Sequence, residues 1–321
     1  MCISADILIP LTSSFVISVV FAPCIIWILK HLNVLQTVRK EGVKSHLKKN
    51  GTPTMGGLII IFATLISSVS YIDKYPNVSI LLFVMLAFGI IGFIDDYMKV
   101  AMKDTKGLTP IQKMTAQTVV AVILLFYLNK TSIDIFEFKV PFVPQGSIRL
   151  NKISADIIYM MAILGTVNGV NFTDGIDGLA GGVTLLVLCF FTAVSAGMKC
   201  GLEPAGAAAI GALSGFMVYN LYPAKLFMGD TGSLALGGLV AAFAVLMKMP
   251  LFLPVVGLIY LIEVLSVIIQ VGYYKITNGK RFFKMAPIHH HLEMCGYKET
   301  QVVDLFAVIT TVMCVIILLL C

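Results

Sequence analysis

Ten stretches of this chain are long and apolar enough to cross a bilayer as helices, and nothing else in the sequence constrains the fold as much. A membrane helix needs about 20 mostly apolar residues. Such runs occur at about 7–29, 55–72, 78–94, 111–129, 153–170, 179–197, 203–222, 234–249, 251–272 and 301–321, with 234–249 short and closed by Pro250. Composition agrees: of 321 residues, 58% are hydrophobic and 12% charged, with a mean hydropathy of +0.95. A soluble domain carries about 25% charged residues, so this chain has too few polar groups to cover a water-facing surface. The sequence predicts an all-α polytopic membrane protein, a single integral domain over residues 1–321 whose solvent is the lipid bilayer, with no nucleic-acid partner. "MCISADILIP" has no basic segment ahead of its apolar run, so the first run is expected to stay as an anchor.

Lysine and arginine set the orientation of such a chain. With connections numbered alternately, 16 of the 23 basic residues fall in the odd-numbered ones and seven on the other side. This predicts both termini outside and odd connections in the cytoplasm, which requires an even number of spans. One outer connection, "SIDIFEFKVPFVPQGSIRL", alternates in "FEFKV" and then turns at Pro and Gly, so a small β-hairpin is expected on the outer face. "GALSG", from Gly211 to Gly215, has the spacing of a close helix–helix contact. Seven cysteines are scattered without a CxxC pair, which argues against a disulfide framework and a zinc site.

Four polar clusters interrupt this pattern. Asp95 and Asp96 end the third run; "NGVNFTDGIDGLAGG" follows the fifth, "YNLYPAKLFMGDTGS" the seventh and "KMAPIHHHLE" the ninth. Each alone has a plainer reading: a solvated loop start, an Asp–Gly turn, a helix cap at Asp230, a surface histidine patch. All four nevertheless fall on the cytoplasmic side of a topology counted without any Asp, Asn or His. Two adjacent carboxylates at a helix C-terminus repel each other and the helix dipole, so they ask for a cation. Carboxylates with amides and hydroxyls suit Mg²⁺, which is held by one or two carboxylates plus substrate phosphates. "MGDTGS" opens a helix whose free N–H groups favour anions, and the connections at 39–49 and 99–113 are rich in lysine. Those parts suit phosphoryl transfer.

"GTPTMGG", "FIDDYMK", "NFTDGIDGLAGG", "MGDTGSLALGG" and "APIHHHLE" together resemble the motif set of the phospho-N-acetylmuramoyl-pentapeptide-transferase family, within the polyprenyl-phosphate N-acetylhexosamine-1-phosphate transferase superfamily. The resemblance implies a bacterial cytoplasmic-membrane enzyme, homodimeric and Mg²⁺-dependent, with its active site on the cytoplasmic side. It implies attack by undecaprenyl phosphate on UDP-MurNAc-pentapeptide, giving lipid I and UMP. By position it implies Asp230 as magnesium ligand and Asp95 as the catalytic base toward the lipid phosphate, with Asp96 beside it. It places Asp174 and Asp177 in the nucleotide and diphosphate region, and Asn171, Asn220 and Phe227 on the uridine side. Lys49, Thr54, Lys99 and Lys113 match polar residues near the phosphates; His289 and His290 match the essential part of the histidine motif. One-step attack and a covalent aspartyl intermediate both stay open. Two other readings stand beside this one. A sister enzyme using UDP-GlcNAc would share the carboxylates but not the histidine motif. A secondary transporter would place its site near the bilayer midplane, often with inverted repeats.

Glu263 and Gln270 lie seven residues apart on one face of the ninth run. An intramembrane carboxylate is a candidate functional group. Its position in the run points instead to a bundle-interior or oligomer hydrogen bond far from the cytoplasmic edge, so Glu263→Gln is expected to leave turnover largely intact.

Overall fold

The computed structural model describes residues 4–35, 49, 51–101, 107–131, 135–143 and 146–320. The basic residues Arg39, Lys40, Lys44, Lys48, Lys103 and Lys106 lie outside the described residues, as do Cys2 and Cys321. Among the described residues twelve α-helices follow in order: α1 Ala5–His31, α2 Gly57–Ser68, α3 Asn77–Ala101, α4 Pro110–Lys130, α5 Lys152–Thr173, α6 Leu179–Met198, α7 Glu203–Asn220, α8 Gly229–Leu246, α9 Leu253–Val256, α10 Leu258–Ile276, α11 Ile288–Met294 and α12 Glu299–Leu320.

Each expected run holds a helix, and eight of these helices are long and apolar enough to span a membrane: α1, α3, α4, α5, α6, α8, α10 and α12. Of the other two, α2 has 12 residues before a 3₁₀ turn at Val69–Tyr71. The 18 residues of α7 include Glu203, Pro204 and Asn220 at the helix ends, which lower its hydropathy. The run expected at 251–272 is broken by Pro250, Pro254 and Gly257 into a 3₁₀ turn, the short α9 and the longer α10.

The short run closed by Pro250 forms α8, the centre of the bundle, with 83% of its apolar stretch buried. Its Gly and Ala positions let neighbours approach closely. On the facing helix α3, a Cβ at Gly92 would overlap the Asp230 carbonyl, so the C-terminal turns of α3 lie against the start of α8. The "GALSG" spacing works the same way in α7: a Cβ at Gly211 would strike the Leu11 carbonyl of α1, and Ser18 Oγ donates to the Ala212 carbonyl at 2.8 Å.

The hairpin forms as expected: β1 Glu137–Lys139 pairs antiparallel with β2 Ser147–Arg149, with Phe138 opposite Ile148. Phe138 packs on Tyr159 at 4.6 Å between ring centres, and the Tyr159 hydroxyl donates to the Ile135 carbonyl at 2.9 Å. Lys139 N–H donates to Lys248 O at 2.9 Å, just past the C-terminus of α8. The hairpin therefore caps one end of the bundle, while the N-terminus of α8 marks the other.

Candidate active site

At that other end, helix starts meet helix ends. The residue before α8, Met228, gives no side-chain cap. Asp96 reaches across from α3 instead: its Oδ1 accepts Asp230 N–H at 3.2 Å, and its Oδ2 accepts Thr231 N–H at 2.9 Å and the Thr231 hydroxyl at 2.7 Å. The carboxylate that is misplaced on its own helix dipole is well placed on its neighbour's. These bonds also occupy two of the α8 amides that the sequence offered as an anion receptor.

Asp95, the adjacent residue, faces a different group. Its Oδ1 accepts Leu108 N–H at 2.6 Å, while Oδ2 lies 3.0 Å from Lys99 Nζ and 3.4 Å from Lys113 Nζ. Both lysines also hold Asp230: Lys99 Nζ is 2.6 Å and Lys113 Nζ 3.0 Å from its Oδ2. Asn171 completes the ring, donating from Nδ2 to Asp230 Oδ1 at 2.6 Å and accepting from Lys113 Nζ at 3.0 Å through Oδ1. Four helices, α3, α4, α5 and α8, thus deliver two carboxylates, two ammonium groups and an amide to one point.

A second group adjoins it at the turn after α5. Asp177 takes Lys49 Nζ on Oδ1 at 2.6 Å and Ala224 N–H on Oδ2 at 2.9 Å. Glu299, the first residue of α12, pairs with the same Lys49 ammonium and accepts Asp177 N–H at 2.8 Å. Asp174, one residue past the end of α5, is half-buried. Burial, with the charges of Asp230, Asp96 and Asp177 nearby, pushes its carboxyl up to about 8.

Three expected site residues are tied into the scaffold around the site. Asn220 is buried, accepting Gly178 N–H at 3.2 Å and donating to Leu226 O at 2.9 Å, so it ties the turn after α5 to the loop before α8. Thr54 is buried, and its N–H donates to Val34 O. Phe227 joins the "PTMG" segment through its backbone, donating to Pro53 O and accepting from Gly56 N–H, both at 2.8 Å, and leaves its ring half-buried.

The histidine segment departs most from expectation. After α10 the chain turns back and runs down the helix it has just left. Gln270 Oε1 accepts Phe282 N–H at 3.1 Å and Phe283 N–H at 2.8 Å. Seven residues deeper, Glu263 accepts Ile288 N–H at 3.0 Å and faces His289 Nδ1 at 2.9 Å. At 1.5 Å per residue, Glu263 lies about 20 Å below the C-terminal end of α10. Glu263 therefore makes the bundle-interior hydrogen bond expected of it, far from the helix end, and its partner is the histidine motif itself, because the return segment descends to meet it. His290 Nδ1 pairs with Glu293 at 2.9 Å, and His291 Nδ1 accepts Lys284 N–H at 3.1 Å.

Glu299 is the residue beside the site that sequence reasoning missed, and Glu263 is one that it singled out without joining it to the histidine motif. Glu299 gave no local signal, being one acid at the start of an apolar run. Glu263 did give one, a carboxylate inside a span.

Among the described residues no three His, Cys, Asp or Glu side chains converge as a ready-made metal cage. The oxygen donors beside Asp230 are the Asp95 carboxylate and Asn171 Oδ1, with no thiol among them, and a cation there would displace the two ammonium groups that now hold Asp230. Such oxygens suit Mg²⁺, which keeps waters and substrate oxygens in its shell rather than relying on an all-protein cage.

Comparison with known proteins finds relatives along nearly the whole sequence. A model of glycosyl transferase family 4 covers residues 78–248, and the phospho-N-acetylmuramoyl-pentapeptide-transferase signature 1 covers residues 49–61. The phospho-N-acetylmuramoyl-pentapeptide-transferase of Clostridium perfringens (strain 13) is 45% identical over 319 residues, 98% of each chain. The chain belongs to that family. The corresponding transferases of Clostridioides difficile (44% identical; 94% of this chain, 93% of the relative) and Clostridium botulinum strain Eklund 17B (45%; 98% and 96%) are similar over nearly their whole length. The signature falls on the segment bearing Lys49 and Thr54, and the family model spans α3 to α8, which supply Asp95, Asp96, Lys99, Lys113, Asn171, Asp174, Asp177, Asn220, Phe227 and Asp230.

Proposed function

We propose that this membrane transferase moves phospho-MurNAc-pentapeptide from UDP-MurNAc-pentapeptide to undecaprenyl phosphate, forming lipid I. An oxygen of the lipid phosphate bonds to the β-phosphorus of the donor, and the bond from that phosphorus to UMP breaks. A phosphate monoester has a second pKa of about 6, so the attacking oxygen is already ionised at neutral pH and placement matters more than a strong base. The observation that carries this reading is the convergence of Lys99, Lys113 and Asn171 on Asp230, with Asp95 alongside.

Asp230 would hold Mg²⁺, which supplies charge neutralisation for the diphosphate when bound. Lys99 and Lys113, each carrying three rotatable donors, turn from the carboxylates to the phosphate oxygens of the two substrates. Asp95 lies beside the position of the lipid phosphate and orders Lys99 and Lys113 around it. Asp96 keeps the start of α8 in place so that Asp230 projects toward the reacting groups. Asp174, Asp177 and Lys49 shape the nucleotide and diphosphate region.

The site faces the cytoplasm of a ten-span chain with both termini outside, and the working unit is a homodimer; the lysine and arginine bias supports the orientation. The test is UMP release by purified protein with undecaprenyl phosphate and Mg²⁺. Turnover with UDP-MurNAc-pentapeptide and none with UDP-GlcNAc is expected. The reverse preference would assign the chain to a sister activity, and release with neither donor from folded protein would overturn the reading.

A further inference from the structure

Glu263 and His289 form a fully buried pair, each with its side chain 0% exposed. The partners of the carboxylate are ordered by what they can donate. Ile288 N–H has only a proton to offer, so Glu263 Oε2 is fixed as its acceptor at 3.0 Å. Oε1 then faces His289 Nδ1 at 2.9 Å, and a carboxylate oxygen accepts only if the ring proton is on Nδ1. The other ring nitrogen, Nε2, is buried and has no hydrogen-bond partner among the described residues. It lies against Gly175, where even a methyl group would overlap the ring. Gly175 stands between the site residues Asp174 and Asp177.

We propose that Glu263 is a positioning residue of the transferase. It keeps the His289 proton on Nδ1, leaves the Nε2 edge bare, and lets the backbone at Gly175 close on that edge. The turn carrying Asp174 and Asp177 is thereby seated from below, through a ring anchored in the membrane-spanning part of α10. Carboxylates that fix the tautomer and orientation of metal-ligating histidines recur in proteins, and their loss costs about 10–100-fold in metal affinity or activity; an effect of the same order is expected here. The inference rests on the lipid I-forming reading for its kinetic arm alone.

Glu263→Gln tests it with little change in volume. The amide oxygen is still needed by Ile288 N–H, so the NH₂ group turns to Nδ1 and the ring proton moves to Nε2, pressing on Gly175. ¹⁵N spectra of histidine-labelled protein should show the Nδ1–H tautomer at His289 in the wild type and Nε2–H in the variant, while Glu263→Asp keeps Nδ1–H. In UMP release, kcat should fall about 10–100-fold with a much smaller change in KM for the nucleotide donor. Glu263→Asp should recover part of the loss. In a His289→Ala background Glu263→Gln should cost nothing more, because coupled residues are not additive. An Nε2–H tautomer in the wild type, turnover within twofold in Glu263→Gln, or an equal loss in the His289→Ala background would each overturn the proposal. If Glu263→Gln does not fold, the wild-type spectrum and Glu263→Asp still decide. If wild-type protein releases no UMP, the functional reading fails, and the spectra judge the pair independently.

Discussion

Asp230 and Glu263 are both carboxylates set in membrane helices, and they are neutralised by different means. Asp230 is held by Lys99 and Lys113, flexible side chains that stay 32% and 16% exposed, and is itself 16% exposed. Glu263 is held by a backbone N–H and a histidine ring, with nothing exposed on either side. A carboxylate paired with mobile ammonium groups can exchange them for a cation while they turn to phosphates. One paired with backbone and a buried ring has no exchange available. The first arrangement suits a group that meets substrate, the second a group that fixes geometry. Asp95 and Asp96 differ in the same sense one residue apart: Asp95 gives one oxygen to Leu108 N–H and the other to the two lysines, whereas Asp96 gives both to the start of α8.

The contrast breaks most decisively at Asp230. Asp230→Asn should lower UMP release about a thousandfold, the scale of losing a charged group aimed at the reacting centre, with the melting midpoint little changed. Retention of a tenth of the activity would place Asp230 with the scaffold. The next effect is on stability. Asp96→Asn leaves the side chain one acceptor oxygen where it now uses both, with about 1–3 kcal/mol at stake per unsatisfied group. Its melting midpoint in detergent should drop clearly below that of Asp95→Asn, and equal midpoints would erase the distinction between the adjacent pair.

The smallest effect sharpens the comparison at its boundary, at Asp174. Its carboxyl, raised to about 8 from an ordinary 3.8, is favoured in its neutral form by the folded protein. That stabilisation is complete below the ordinary value and is lost as pH rises through about 8. Asp174→Asn, which cannot ionise, should match the wild type in melting at pH 4 and melt progressively later than it toward pH 8.5. A difference independent of pH would mean that the carboxyl is not held neutral.

Much of this was legible in the sequence, for reasons that can be named. Run length located α1, α3, α4, α5, α6 and α12 because a bilayer fixes how many apolar residues a span needs. Gly211 and Gly215 foretold close packing because only small residues let helix backbones meet, and α1 is what they meet. Asp95 and Asp230 stood out as acidic residues in polar clusters at the ends of apolar runs, and Lys99, Lys113 and Asn171 through the family motifs they match; the five meet at one point. The partners of those residues were less legible. Nothing local in "FIDDYMK" says that Asp96 serves the start of α8, 134 residues on. The role of Glu263 depends on the chain after α10 folding back along it, a tertiary event pinned by Gln270 and invisible to periodicity. Glu299 reaches Lys49 across nearly the whole chain.

The most direct test of the central claim, that Asp230 is the exchangeable carboxylate of a cation–diphosphate site, is the binding of Mn²⁺ as a paramagnetic stand-in for Mg²⁺. Its electron paramagnetic resonance would be followed in detergent-purified protein with UDP-MurNAc-pentapeptide present. Wild-type protein should bind one Mn²⁺ per chain that Mg²⁺ displaces, and Asp230→Asn, folded to the same degree, should bind none. Equal Mn²⁺ binding by both proteins would contradict the account.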